Sequence, residues 1–188
     1  QLYAHWQAQG FHCADAVFTE LDAGETPEEL RDAVTAFMGG TLFTGMTCSA
    51  LTAGVMALGL ALGEIEDSRR RVLRRIATMA VGKDAFRDDL NAFNRVMNLG
   101  HELARWFAAE FGSTQCRTLT ACDFATAEGV RTYITQDGTS GCRQMARRVA
   151  VQVETVLASA RAEAGDDATT REAHPAAPTG DTSPDKPE

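Results

Sequence analysis

The sequence contains no CxxC motif, although it has five cysteines in 188 residues. A typical zinc site has two such short clips, and attachment of c-type haem needs CxxCH, so neither kind of site is indicated. A secreted disulfide framework is also disfavoured, because such domains are shorter and richer in cysteine. Any site that uses these thiols must be assembled by the fold from distant segments: Cys13, Cys48, Cys116, Cys122 and Cys142.

The chain also has no excess of basic residues. The formal net charge is −8, and residues 163–188 contain seven acids but only two bases. The rest of the chain is therefore nearly balanced in charge. A balanced body of this kind lacks the basic patch that nucleic-acid binding requires, so we expect no nucleic-acid partner.

Long hydrophobic runs are also absent. Residues 33–63 are uncharged, but hydroxyl residues and the pair Gly39 and Gly40 interrupt their first part. The continuous apolar run, Ala53 to Leu62, is about half of the roughly 20 residues that a membrane span requires. We predict a buried core helix there and no membrane span. No basic region followed by an apolar segment is visible at the N-terminus, so we expect a cytoplasmic protein.

No segment shows sustained alternation of Val, Ile and Thr, so strands are not predicted. Apolar residues instead recur at intervals of three and four, as in Leu2–Leu21, Ser49–Leu62 and Phe86–Phe111. We predict an all-α fold, a compact single-domain bundle of about six helices over residues 1–164. Residues 165–188 contain four of the five prolines with Asp, Thr and Gly, which predicts a disordered acidic tail.

The stretch from Gly39 to Gly63 is the centre of this prediction. It changes from loop composition to helix composition at Cys48, immediately before the predicted helix that starts at Ser49. The small residues of that helix, such as Gly54, predict that another backbone packs closely against it. We therefore expect any chemical centre of the protein to lie near Cys48.

Three of the five cysteines occupy positions that favour an anion. Cys48 precedes a predicted helix, Cys142 falls in the predicted first turn of the last helix beside Arg143, and Cys116 is followed by Arg117. Positive potential favours the thiolate, which is the form that binds metals and attacks disulfides. Buried free cysteine is nevertheless common, so packing alone stays open as an explanation.

Four features of the sequence resemble a known family: HCADAVF, GGTLFTGMTCSALTAGVMALGLALG, FGSTQCRTLTACDF and a later cysteine. They are similar to the C_GCAxxG_C_C family of redox-active proteins, which is defined by four widely spaced cysteines and a CGAxxG motif. The resemblance covers about Gln9 to Cys142. It implies that the family cysteines are Cys13, Cys48, Cys116 and Cys142.

The sequence departs from the family pattern in two places. Ser49 stands where the motif has glycine after its cysteine, and Ala53 stands at the second glycine, which is displaced to Gly54. These changes bear on any role that needs a close backbone approach at either position. Cys122 is additional to the family's four cysteines.

The resemblance implies a small redox protein in which Cys13, Cys48, Cys116 and Cys142 bind a metal or an iron–sulfur cluster for electron transfer. A [2Fe–2S] cluster is the simplest choice, since four thiolates are its usual ligands. The redox partner is unknown. The resemblance also implies an association with a transporter, and the formation of homo-oligomers stays open.

Two other functions remain open at this stage. One is thiol–disulfide exchange, with Cys48 as the attacking thiolate and Cys116, Cys122 or Cys142 as the resolving cysteine. The other is a non-catalytic helical interaction module, associated with a transporter as the resemblance implies, with Arg69–Arg75 as its docking face. Whether the protein is an enzyme is therefore undecided; if it is one, we expect an oxidoreductase.

Overall fold

The computed structural model describes residues 1–21, 26–63, 69–70, 72–73, 76–77 and 95–173, with side chains described up to residue 162. Within these residues it has eight named helices and no strand, so the predicted all-α class is confirmed with more helices than the six expected. The helices are α1 (Leu2–Ala8), α2 (Asp15–Leu21), α3 (Glu28–Val34), α4 (Ser49–Leu62), α5 (Arg95–Phe111), α6 (Cys116–Thr120), α7 (Ala127–Thr135) and α8 (Gly138–Ala173).

The chain divides into a compact unit of residues 1–157 and a second unit of residues 158–188. Of the second unit, residues 158–173 are described and are helical, which is further than the predicted helix end near residue 164. Residues 174–188 of the predicted tail lie outside the described residues. The division after residue 164 stays a prediction.

Parts of two predicted helices also lie outside the described residues. The helix predicted over Phe86–Phe111 is described from Arg95, where α5 begins. In the predicted docking face Arg69–Arg75, Arg69 and Arg70 are described as helical and exposed. The other arginines of that face are not among the described residues.

The predicted first helix is broken at Gly10. Gly10 has a φ of +55°, a backbone conformation that glycine adopts far more readily than other residues. The chain therefore ends α1 at Ala8 and starts α2 at Asp15. The turn between these two helices contains Cys13, which is therefore not part of a helix.

The main core surrounds α4, which packs against α2 and α5. This confirms the prediction of a buried core helix, and α4 has the predicted bounds. Within the described residues, no helix has the length and apolarity that crossing a membrane would require. The fully buried side chains of this core come from α2, α4, α5 and α8: Val17, Leu58, Leu103, Phe107, Val149 and Val153.

A second core is built from aromatic rings around Trp6, where α1 packs against α7. The Trp6 ring is stacked on Phe43 at 5.6 Å and meets Tyr133 edge to face, also at 5.6 Å. Offset and edge-to-face pairs of this kind add to the free energy gained by burial. Cys13, Cys116 and Cys122 belong to this aromatic core, whereas Cys48 belongs to the main core. The cysteines therefore lie where the two cores meet.

Gly54 allows α4 to pack closely, as its small size predicted. A β-carbon at this position would lie 2.9 Å from Val149 Cγ1 and 3.0 Å from Leu103 Cδ2. Gly59, on the same helix, differs because no described atom lies within 4 Å of its β-carbon position. The two glycines thus form a matched pair, one required by packing and the other not.

We predict opposite effects of alanine at these two positions. Gly54→Ala forces Val149 and Leu103 to shift and lowers the free energy of unfolding by about 1–3 kcal/mol. Gly59→Ala raises it by about 0.5–1 kcal/mol, because alanine is the better helix former. Urea denaturation of the two variants and the parent measures both changes. Equal effects of the two substitutions would contradict the packing described for α4.

Candidate functional site

Four cysteines from four segments line one cavity in the unit of residues 1–157. The cavity encloses about 20 Å³, which is room for about one water molecule. All five cysteines of the chain carry free thiols. The lining residues are Cys13, Cys48, Ser49, Ala50, Cys116, Leu119, Thr120, Cys142 and Met145. The structure thus brings together the four cysteines that the resemblance assigned, while their role as ligands stays a prediction.

Local structure places each of these cysteines differently. Cys13 lies in the turn before α2, and Cys48 is the N-cap residue of α4, as its position before the Ser49 helix predicted. Cys116 is the first residue of the short helix α6. Cys142 lies in the second turn of α8, because that helix begins at Gly138. The prediction that Cys142 lies in the first turn is therefore wrong.

Two backbone hydrogen bonds connect the segments of Cys48 and Cys116. The Cys48 N–H donates to the Thr114 carbonyl at 2.8 Å, and the Cys116 N–H donates to the Met46 carbonyl at 2.7 Å. They flank an antiparallel bridge between Thr47 and residue 115. Alternate residues of such a pair point to the same side, so the two cysteines both face the cavity.

The loop before Cys48 needs an unusual backbone to reach this arrangement. Gly39, Gly40, Thr41, Leu42 and Phe43 all have φ between +52° and +72°. Positive φ is uncommon in residues other than glycine and costs free energy, and such strain often occurs at functional sites. Backbone hydrogen bonds within the loop hold this conformation, such as those from Phe43 N–H to the Met38 carbonyl at 2.9 Å and from Gly45 N–H to the Gly39 carbonyl at 3.0 Å.

Gly40 is the point where this loop approaches the cysteines most closely. A β-carbon there would lie 2.7 Å from the β-carbon of Cys116 and 2.7 Å from the Met46 nitrogen. Both distances are too short for a real side chain. Glycine at this position therefore lets the loop pass directly against the wall of the cavity.

Cys142 is held by a short chain of hydrogen bonds from the aromatic core. Trp6 Nε1 lies 3.2 Å from the Tyr133 hydroxyl, which lies 3.3 Å from Cys142 Sγ. An indole N–H can only donate, so the Tyr133 oxygen accepts this bond and its own proton is donated to the sulfur. Burial and the charge of Cys142 raise the pKa of Tyr133 well above its usual range. The phenol therefore stays protonated and remains a donor.

Burial raises the pKa of every cysteine in the cavity. The rise is large for Cys13 and Cys116, while the pKa of Cys142 reaches about 11 because the Tyr133 hydroxyl lowers it in part. For Cys48, the N–H groups at the start of α4 offset some of the effect of burial on its pKa. The thiols are therefore protonated at neutral pH.

The arginines beside the cysteines do not favour the thiolates as the sequence predicted. The guanidinium of Arg117 donates to the Thr44 carbonyl at 3.2 Å. That of Arg143 donates to the Gln9 carbonyl and lies over the Phe11 ring at 5.1 Å. Both guanidinium groups donate to backbone oxygens. The arginines that follow the cysteines in sequence therefore do not place their positive charge at the thiols.

The thiols influence one another because they lie close together. Charge on Cys48, Cys142 or Cys122 raises the pKa of Cys116, and charge on Cys142, Cys48 or Cys116 raises the pKa of Cys13. Several thiolates cannot form together here without a compensating cation. Binding of a cationic centre would remove this repulsion, and such binding releases thiol protons.

The possible metal donors of the cavity are the thiols of its four cysteines. Within the described ranges, no three His, Cys, Asp or Glu side chains are close enough together to bind one metal ion. The four cysteine side chains instead surround a common space. Ser49, also in the wall, has a buried hydroxyl with no hydrogen-bond partner among the described residues. Thiolates are the usual ligands of iron–sulfur clusters, and hydrogen bonds to the sulfur atoms are one of the factors that set the reduction potentials of such clusters.

Sequence reasoning missed two residues of this site. Met145 Sδ lies 3.6 Å from Cys48 Sγ, and Tyr133 bonds to Cys142. The spacing of three between Cys142 and Met145 on one helix was a signal for the first, since such residues share a face. Nothing in the sequence pointed to Tyr133. Cys122 is buried, but it does not line the cavity.

One protein family is similar to the chain over most of its length. The family described as "Putative redox-active protein (C_GCAxxG_C_C)" matches residues 11–156. The chain belongs to this family. The match includes all four cavity cysteines of this C_GCAxxG_C_C protein, and it confirms the resemblance found in the sequence. No curated protein and no solved structure gives a significant match.

The raised thiol pKa values predict a loss of stability at alkaline pH in the reduced, metal-free protein. The folded-state pKa of Cys142 is about 11 against an ordinary value of 9.0, so the folded protein keeps a proton that the unfolded chain loses. The free energy of unfolding is then constant below about pH 9 and falls as pH rises toward 11, by up to ~1.4 kcal/mol per pH unit for this thiol.

Urea denaturation from neutral pH to about pH 11 measures this dependence. Cys142→Ser is the matched control, because it removes one titrating thiol and also the charge that raises the pKa values of Cys13 and Cys116. We expect a shallower fall in the variant than in the parent. Parallel curves would show that the Cys142 thiol has no raised pKa.

The hydrogen bond from Tyr133 predicts a second measurable effect. Tyr133→Phe removes a donor to the Cys142 thiolate, so the pKa of Cys142 rises by roughly one further unit. Alkylation of Cys142 by iodoacetamide, followed by peptide mass spectrometry, then shifts to higher pH. Tyr3→Phe is the control, since the Tyr3 hydroxyl is exposed and bonds to Gln7. An unchanged pH profile in Tyr133→Phe would exclude the bond.

Proposed function

We propose that this protein transfers electrons by means of an iron–sulfur cluster, most simply a [2Fe–2S] cluster, bound by Cys13, Cys48, Cys116 and Cys142. The observation that supports it most is the single cavity lined by four thiols from four separate segments. Four thiolates are the usual ligand set of such clusters. Membership of a family described as redox-active agrees with this function.

A bound cluster would supply one-electron chemistry, and the protein's own residues would set the conditions for it. The backbone bonds at Cys48 and Cys116 fix the relative positions of two sulfur atoms. The aromatic core around Trp6 excludes water from one side of the cavity. Tyr133 directs a hydrogen bond at the sulfur of Cys142, which belongs to the set of contacts that adjust a reduction potential.

The cavity must widen to admit a cluster, and Met145 is the side chain best able to move. It lines the cavity and contacts Cys48, and methionine is unbranched with several rotatable bonds. Proton release from the four thiols would accompany loading. The mutual repulsion of thiolates, which holds their pKa values high in the metal-free protein, is then balanced by the metal charge.

Electrons would enter or leave beside Cys142. This residue is partly exposed, whereas Cys13, Cys48 and Cys116 are each at most 8% exposed. A redox partner that docks over the start of α8 would therefore come nearest to the bound group. The transporter that the family resemblance implies stays a predicted partner.

Thiol–disulfide exchange is the rival function with the same residues. The close approach of the Cys48 and Cys116 segments favours it. Burial and the raised pKa values of Cys48 and Cys116 disfavour it, because an attacking cysteine needs an accessible thiolate. We therefore rank cluster binding first, and a purely structural interaction module, which would leave the cavity unused, last.

Anaerobic reconstitution with iron and sulfide tests the proposed function. We expect the parent to gain the absorption bands and EPR signal of an iron–sulfur cluster, and Cys48→Ser to bind several-fold less iron or give a different spectrum, because it removes one ligand. Cys122→Ser is the matched control and should load like the parent, since Cys122 lies outside the cavity wall. A Cys48→Ser protein with the parent's iron content and spectrum would sink the proposal.

A further inference from the structure

Ser49 is the polar side chain of this site whose role is unexplained. It is 1% exposed, it lines the cysteine cavity, and its Oγ has no hydrogen-bond partner among the described residues. Buried hydroxyls almost always have a partner in folded proteins. An unsatisfied one in a cavity wall indicates that the partner belongs to whatever binds in the cavity.

The other hydroxyl in the described cavity wall shows the usual arrangement. Thr120 Oγ1 donates to the Cys116 carbonyl at 2.8 Å, four residues earlier. The corresponding acceptor for Ser49 would be the carbonyl of Gly45, which instead accepts the Arg117 N–H at 2.9 Å. Ser49 is the first residue of α4, so Gly45 lies in the loop before the helix and Ser49 lacks the local bond that serine commonly forms in helices.

The chemistry of the wall limits what Ser49 can bond to. Apart from Thr120, its neighbours in the wall are thiols, a thioether and apolar carbons. Protonated thiols and thioethers are weak acceptors, whereas a thiolate or an inorganic sulfide is a strong one. Apart from a water molecule, for which the cavity has room, a strong acceptor is present in this space when the thiols have lost their protons to a metal centre.

We propose that Ser49 donates a hydrogen bond to a sulfur atom of the cluster bound in this cavity and thereby raises its reduction potential. This inference rests on the proposed function. A donor to sulfur stabilises the reduced state, which has the more negative charge, and hydrogen bonds of this kind are among the factors that set cluster potentials.

The proposal predicts different effects of Ser49→Ala on the metal-free and the loaded protein. In the metal-free form the substitution removes an unsatisfied buried hydroxyl, so stability stays the same or rises. In the loaded form it removes a hydrogen bond to the cluster, so the midpoint potential falls. If the hydroxyl had a purely structural role, Ser49→Ala would lower the stability of the metal-free form and leave the midpoint potential unchanged.

The experiment compares the parent, Ser49→Ala, Ser49→Gly and Thr120→Val. Each is reconstituted anaerobically with iron and sulfide, and its midpoint potential is measured by an EPR-monitored redox titration. The metal-free parent, Ser49→Ala and Thr120→Val are unfolded with urea. We expect both Ser49 variants to change the ratio of oxidised to reduced protein about threefold at a fixed potential. Since a tenfold change corresponds to 59 mV for one electron, the midpoint potential falls by about 28 mV.

Thr120→Val is the matched control. It also removes one hydroxyl from the wall, but that hydroxyl already bonds to a carbonyl, so we expect lower metal-free stability and a smaller shift in potential. Lower iron loading of Ser49→Ala with unchanged metal-free stability would also support the donor role.

Two results would overturn the inference while leaving the proposed function intact. One is a loaded Ser49→Ala protein with the parent's potential, and the other is a metal-free Ser49→Ala protein less stable than the parent. A parent that binds no iron would overturn the proposed function and this inference together.

Discussion

The cysteine cavity depends on the pairing of two short backbone segments. The hydrogen bonds from Cys48 to Thr114 and from Cys116 to Met46 join the start of α4 to the start of α6 across a long stretch of sequence. They also fix the end of the left-handed loop that passes under the cavity at Gly40. Because backbone atoms form this connection, it does not depend on the identity of most side chains. It does require glycine where the loop passes closest to the cavity.

Burial, rather than positive charge, decides the state of the thiols. The two cores meet at the cavity and remove water from it, which raises every thiol pKa there. The neighbouring arginines stabilise backbone carbonyls instead. The metal-free site is therefore a set of neutral thiols close to one another, and it gains charge only when a cation compensates the thiolates.

The sequence predicted those features that depend on local composition. The start of α4 at Ser49, with Cys48 before it, follows from an abrupt change from glycine-rich loop to apolar helix. The start of α8 was predicted too late in the chain. The helix begins at Gly138, where the Tyr133 ring leaves no room for a β-carbon, and this is a tertiary contact that local sequence does not reveal. Contacts such as Tyr133 with Cys142 depend on the packing of whole helices, and no local pattern encodes them.

The origin of the four cysteines in four separate segments bears on the order of folding and metal binding. In a CxxC clip, two ligands are neighbours in the unfolded chain, so metal capture can precede folding and drive it. Here Cys13 and Cys142 are far apart in the chain, and only the packed helices bring them to one cavity. The cluster proposed above would therefore bind to a site that the folded protein provides.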